Sequence, residues 1–287
     1  GCALSSALAA LIANKFAYHD AAVLAKAYVY SGIRDPALNP ADVDARKNRP
    51  PLGHNGLVND MSLMPHVCEE GFPESSEAFP ACPLKLGLYP VVDSVDWVKR
   101  LVADGVRTIQ LRIKDKDDPK LYDKICEAVE FCNAKKVRLF IDDHYELAIK
   151  AHAYGVHLGM EDLREADIES IRKASLRLGV STHGCYEMLK AYQLHPSYIA
   201  LGHIFPTSSK VMPSKPQGCF KLSVEQDLIK DSVPTVAIGG IKLFNVKDVI
   251  ASNVGSVALI TGITKADDPD ETTKKWLDLC GNGGDRE

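Results

Sequence analysis

The 287-residue chain lacks several features that would assign it a class at once. It has no excess of basic charge, since 34 Lys and Arg face 38 Asp and Glu for a formal net charge of −4. Neutralising a nucleic-acid backbone takes a basic face, so nucleic acid is excluded as a general partner. The longest apolar stretch near the start, Ala3 to Ala13, is interrupted by Ser5 and Ser6 and is too short to span a bilayer. No basic segment precedes it, so it does not read as a signal peptide, and no membrane partner is expected. The 8 cysteines form no C-x-x-C pair and follow no regular spacing, which suits reduced thiols of a cytoplasmic protein better than a disulfide framework.

Common catalytic signatures are missing too. No G-x-G-x-x-G follows the first strand-like run, which counts against a doubly wound dinucleotide-binding sheet. Without G-x-S-x-G there is no nucleophile elbow, and without H-E-x-x-H no zinc helix. His144, His157, His183 and His203 lie near strand ends but lack ligand spacing, so they read as structural.

With 46% hydrophobic and 25% charged residues, the chain can bury a full core. Residues 1–34 show two helical patterns, Ala3–Ile12 and Asp20–Tyr30, the second with Asp20 as a candidate N-cap. Residues 35–85 carry eight prolines between Pro36 and Pro83 without sustained periodicity, which marks a linker or loosely packed connector. From 86 to 287, eight strand-like runs alternate with amphipathic stretches. The runs lie near Leu86–Val92, Val106–Arg112, Val137–Ile141, Gly155–Leu158, Arg177–Ser181, Tyr198–Gly202, Thr235–Ile238 and Ser256–Ile260. Eight β-α units in about 200 residues predict an α/β chain with a (β/α)8 (TIM) barrel, preceded by a short helical segment and a Pro-rich linker. An open parallel sheet is the main competitor.

In such a barrel the strands' carboxyl ends converge on one face, and six polar clusters sit at those ends. Gln110, Arg112 and Lys114 alternate, so a strand would put all three on one side, suited to a polyanion and a hydrogen-bonding heterocycle. A solvated, salt-bridged edge is the plainer reading. Asp142, Asp143 and Asp162 supply carboxylates from two strands, the kind of set that Mg²⁺ takes, although Asp143 and Asp162 would also serve as helix caps. Thr207, Ser208, Ser209 and Lys210 form a hydroxyl-rich loop ending in a cation, and Gly239-Gly240 allows close backbone approach to a phosphate. Together these clusters point to metal-assisted phosphate chemistry without a covalent enzyme intermediate.

Residues 86–280 closely resemble the bacterial thiamine phosphate synthases. The landmarks are Leu88-Tyr89-Pro90-Val91-Val92-Asp93, Gln110-Leu111-Arg112-Ile113-Lys114, Gly155-Val156-His157-Leu158-Gly159, Leu201-Gly202-His203-Ile204-Phe205-Pro206-Thr207 and Met212-Pro213-Ser214. The resemblance implies a transferase that joins hydroxymethylpyrimidine diphosphate to hydroxyethylthiazole phosphate, releasing pyrophosphate through a pyrimidine-methyl cation. It implies that Gln110 contacts the pyrimidine, that Arg112, Lys114, Ser181 and Lys210 hold or orient the diphosphate as the catalytic set, and that Asp143 and Asp162 ligate Mg²⁺. Thr207, Ser208, Ser209, Gly240, Ile260 and Thr261 match the thiazole phosphate site. Asp142 stands where the family usually has Asn, an added negative charge beside the diphosphate that weakens binding unless the metal offsets it. Met160, Ser209 and Thr261 replace a common Gln, Thr and Ser, and the last two keep a hydroxyl.

The start, Gly1-Cys2-Ala3-Leu4-Ser5-Ser6-Ala7 with Ala25-Lys26-Ala27-Tyr28-Val29, resembles the carboxyl-terminal end of hydroxymethylpyrimidine phosphate kinases. The nucleotide-binding body of that family is missing from this chain. The resemblance therefore implies a fragment of a bifunctional fusion or a remnant, without kinase activity of its own, and a fused or associated kinase as a partner. A homo-oligomer is equally compatible. Two other readings of the barrel are a thiazole tautomerase-like relative and a non-catalytic binder of thiamine phosphate in which Asp142 has spoiled turnover.

Overall fold

The computed structural model describes residues 2–36, 52–207 and 214–284. Two helices, α1 (Cys2–Ala13) and α2 (Tyr18–Arg34), come first. A connector with one 3-10 turn, Met61–Leu63, then leads to β1 (Gly87–Val92). The order continues α3 (Val95–Ala103), β2 (Thr108–Leu111), α4 (Leu121–Ala134), β3 (Arg138–Asp142), α5 (Tyr145–Lys150), β4 (Gly155–Leu158), α6 (Asp162–Glu165) and α7 (Ile168–Lys173). It ends with β5 (Arg177–Thr182), α8 (Cys185–Tyr192), β6 (Tyr198–Gly202), α9 (Gly218–Ile229), β7 (Thr235–Ile238), α10 (Val246–Ile250), β8 (Ser256–Leu259), α11 (Thr261–Thr264) and α12 (Pro269–Cys280).

The eight strands are parallel and close on themselves, β1 pairing with both β2 and β8. This is the (β/α)8 barrel that the alternating pattern predicts, with an N-terminal helical segment in front of it. The strands are nearly continuous apolar runs because both faces are covered, by helices outside and by side chains within. Tyr89, Phe140 and Tyr198 fill the interior, with ring centroids 5.7 Å apart for Tyr89–Phe140 and 5.1 Å for Phe140–Tyr198. Gly179 makes room for this plug, since a Cβ there would lie 2.1 Å from the Tyr198 ring. At the amino end of the strands, buried Arg138 bonds to Thr108 Oγ1 at 2.8 Å and to the Asn282 carbonyl at 3.0 Å, tying the C-terminal segment across the barrel floor. The polar rim is thus left at the carboxyl end.

Two expectations change. Asp20 does not cap α2, whose N-cap is Ala17 without a side-chain bond. Its Oδ1 accepts the Tyr186 N–H at 2.9 Å, so it caps α8 and docks the N-terminal hairpin on the barrel. Burial pushes the Asp20 carboxyl up. The described part of the connector is irregular, as its prolines predict, but it is packed and not loose. Val58, Leu63, Val67, Phe72 and Phe79 are buried, Val67 exchanges two 2.8 Å bonds with Gln193, and the Ser197 hydroxyl bonds to the Pro80 carbonyl at 2.6 Å. All 8 cysteines are free, and no helix of the described residues is long and apolar enough to cross a membrane.

Candidate active site

β2 and β3 carry the first half of the rim. Their register sets Gln110 opposite Phe140, and the Gln110 side chain donates to Asp142 Oδ1. Arg112 lies one residue past β2, but its N–H still bonds to Val92 O at 2.7 Å, so the alternation carries its side chain to the same side as Gln110. There Arg112 Nε donates to Asp142 Oδ2 at 2.7 Å. Lys114 lies beyond the strand and is exposed. Asp142 is buried, and burial followed by the neighbouring Asp143 charge pushes its carboxyl up to about 7, against the opposing pull of Arg112. A carboxyl raised this far is only partly ionised near neutral pH, which reduces the extra charge expected at this position.

Asp143 has a left-handed backbone, φ 62°, that turns its side chain away from the strand line. The cap reading fails for it, because α5 starts from His144 with no side-chain cap bond. Burial and then the Asp162 charge raise the Asp143 carboxyl. Asp162 opens α6, and its Oδ2 accepts the Gly159 N–H at 3.1 Å. A carboxylate directly after β3 and another following β4 suit Mg²⁺, which takes one or two hard oxygen ligands from protein and fills its remaining positions with water and substrate phosphate.

β4 and β5 add a polar file that the strand pattern hid. Ser181 Oγ and His157 Nε2 are 2.7 Å apart, His157 Nδ1 is 2.6 Å from the Tyr198 hydroxyl, and that hydroxyl is 2.8 Å from Tyr89 Oη. His157, read above as a structural histidine, therefore sets the position of the Ser181 hydroxyl. Its place in the alternation of β4, between Val156 and Leu158, was the available signal.

The opposite half of the rim is made of backbone. A cavity of about 100 Å³ is lined by Pro206, Thr207, Gly239, Gly240, Lys242, Ile260, Thr261 and Gly262, among others. Gly240 has φ 65°, and a Cβ there would lie 2.5 Å from the Pro206 carbonyl oxygen. The structure thus brings Thr207, Gly240, Ile260 and Thr261 together as expected, and adds Lys242, which follows Gly-Gly-Ile and was not singled out. Ser208, Ser209 and Lys210 lie outside the described residues, as do Met212 and Pro213.

The sequence profile of the thiamine monophosphate synthase family matches residues 88–263, which include both halves of this rim. The chain belongs to that family. The synthase is 54% identical over 205 residues to the thiamine-phosphate synthase of Proteus mirabilis, an overlap of 71% of this chain and 95% of the relative. Against that of Salmonella typhimurium it is 52% identical over 205 residues, with 71% and 97% covered. Among solved structures, thiamine phosphate pyrophosphorylase from Pyrococcus furiosus superposes with a TM-score of 0.60 at 27% identity, covering 68% of this chain and 95% of that one. A 3-hexulose-6-phosphate synthase, at 16% identity and a TM-score of 0.51, shares the fold alone. The synthase has thiamine-phosphate synthase activity and serves thiamine biosynthesis.

Proposed function

We propose that this rim joins hydroxymethylpyrimidine diphosphate to hydroxyethylthiazole phosphate, with Mg²⁺ as the cofactor. The observation that carries the reading is that Arg112 and Gln110 meet on Asp142 at the end of β3, where Asp143 follows and Asp162 comes after the next strand, at the same barrel end as the glycine-built cavity. Gln110 contacts the pyrimidine through its amide, and Ser181, its hydroxyl held by His157, orients the diphosphate substrate. Arg112, Lys114 and Lys210 hold the diphosphate. Thr207, Ser208, Ser209, Gly240, Ile260 and Thr261 cradle the thiazole phosphate, where small residues let the backbone approach it.

The reaction breaks the bond between the pyrimidine methylene carbon and the diphosphate oxygen, and the electron pair leaves with pyrophosphate. The methylene cation is then captured by the thiazole nitrogen, which forms the new C–N bond of thiamine phosphate. Cations fixed around the leaving group stabilise charge as it accumulates there, and this lowers the barrier directly. Mg²⁺ held by Asp143 and Asp162 would neutralise the same oxygens. The plug of Tyr89, Phe140 and Tyr198 closes the barrel beneath the rim, so water does not reach the cation from below.

In this reading residues 86–287 carry the activity, residues 35–85 connect, and residues 1–34 contribute no kinase chemistry by themselves. Pyrophosphate release from the two substrates, measured with and without Mg²⁺ in the unmodified chain and in Asp143→Ala, tests the reading. Metal-dependent release that the substitution slows by roughly a hundredfold or more is expected. Equal release without the metal, or in Asp143→Ala, would remove the carboxylate pair from the mechanism.

A further inference from the structure

Outside the rim, one cluster of metal-binding side chains stands out among the described residues: His66, Cys68 and Glu74, in the connector. Their ligand atoms all lie within 4.8 Å of one another, and His66 Nε2 is 3.4 Å from Glu74 Oε1. We propose that these three side chains form a binding site for a borderline-soft divalent cation of the Zn²⁺ type, which closes the 66–74 loop of the connector on itself.

The donor set decides the class of ion. One imidazole nitrogen, one thiolate and one carboxylate oxygen suit Zn²⁺, whereas Mg²⁺ and Ca²⁺ prefer oxygen alone. Tetrahedral zinc with bonds of about 2.0–2.3 Å has ligand atoms roughly 3.3–3.7 Å apart, so the His66–Glu74 separation already fits. The thiol needs to close in by no more than about 1.5 Å. On coordination the Cys68 thiol gives its proton to solvent, and water fills the fourth position.

The loop that presents these donors is held from below. Val67 is pinned on both sides of its peptide by Gln193, at 2.8 Å each. Glu69 accepts from Arg164 and Lys190 on the barrel helices, and the Phe72 ring lies 4.0 Å from Lys190 Nζ. Gly71, with φ 75°, turns the chain, and the Phe72 N–H closes that turn on the Glu69 carbonyl at 3.1 Å. Val67 and Phe72 are buried while His66, Cys68 and Glu74 are exposed, so the anchors face the barrel and the three donors share the outer side. Little ordering is left to be done when the ion binds.

The test uses the whole reduced chain, stripped of metal, in millimolar Mg²⁺ to saturate the rim carboxylates. Zn²⁺ is titrated against a chromophoric chelator, and Co²⁺ is added separately to look for a thiolate-to-cobalt charge-transfer band. One Zn²⁺ per chain and a cobalt band are expected, with both weakened about tenfold or more in Cys68→Ser and in His66→Ala. Cys2→Ser, which removes the other exposed cysteine, and Asp143→Ala leave both unchanged if the site is the one proposed. Absence of stoichiometric Zn²⁺ binding, or binding and a band that survive in Cys68→Ser, overturns the proposal.

Discussion

The two halves of the rim are built from different materials. At β2–β4 the site consists of polar and charged side chains: Gln110 and Arg112 meet on Asp142, and Asp143 and Asp162 add carboxylates beside them in the chain and after the next strand. At β7–β8 it is built largely of turns, with Gly239 and Gly240 at points where a side chain would not fit. The first half stores its function in electrostatics and so responds to pH and metal; the second stores it in shape and responds to volume. A site that must grip a leaving diphosphate at one end and merely seat a second phosphate at the other gains from that division.

The sharpest way to break the contrast is Arg112→Ala. It removes a cation from the diphosphate end and leaves Asp142 buried without its ion-pair partner. Loss of such a donor to developing charge costs roughly a hundredfold to a thousandfold in turnover. Steady-state kinetics should place the loss in kcat, with KM for thiazole phosphate little changed. An equal rise in that KM would mean that the two halves are not separate.

Gly240→Val tests the other half by volume. The left-handed backbone there costs a branched residue about 1–2 kcal/mol, and the added Cβ runs into the Pro206 carbonyl. KM for thiazole phosphate should rise by at least about tenfold, the equivalent of ~1.4 kcal/mol, and the ratio to the unmodified enzyme should stay flat with pH. A pH-dependent ratio would show that a titrating group also serves this end.

Asp142→Asn is the milder probe of the charged half. The carboxyl is raised from its ordinary value near 3.8 to about 7 in the folded chain, chiefly by burial. The fold therefore binds a proton that the unfolded chain has already lost, and its stabilising contribution is full below pH ~4 and disappears as pH rises through about 7. Asparagine has no such loss. Thermal unfolding without metal should show the variant gaining on the unmodified chain between pH 5 and pH 8, by roughly 2–4 °C for each kcal/mol. A difference in Tm that does not change with pH would show that Asp142 is ionised throughout.

How far the sequence reveals this arrangement depends on how local each cause is. The strands were legible because each is a short apolar run with polar residues at one end, and closure follows from counting eight of them. The positions of Asp143 and Asp162 at the barrel's carboxyl end were legible because each closely follows a strand-like run, although the same pattern also suited helix caps. His157 was not, since a polar side chain inside a barrel looks like any strand residue until Tyr198, 41 positions away, is seen against it. The connector misled for the same reason. Its prolines describe the local backbone, whereas its order comes from distant partners such as Gln193 and Ser197. Asp20 is the clearest case. Its spacing suggests a cap for its own helix, yet its partner lies 166 positions on.

That distant cap gives the smallest expected effect and shows where the contrast between the two halves ends. Asp20 holds the first turn of α8, the helix that follows β5, and β5 carries Ser181 between the charged half and the shaped half. If the N-terminal hairpin only stabilises, Asp20→Ala should cost about 1 kcal/mol, the usual worth of an N-cap, with kcat and both KM values unchanged. Asp20→Asn keeps a capping oxygen and removes the charge near Glu225, a buried carboxyl with no hydrogen-bond partner among the described residues that is itself pushed up by burial and by Asp20. The asparagine variant should therefore retain most of the stability, as read by denaturant unfolding. A fall in kcat for Asp20→Ala that Asp20→Asn restores would mean that the hairpin reaches Ser181 through α8, and that a segment outside the barrel helps to set its chemistry.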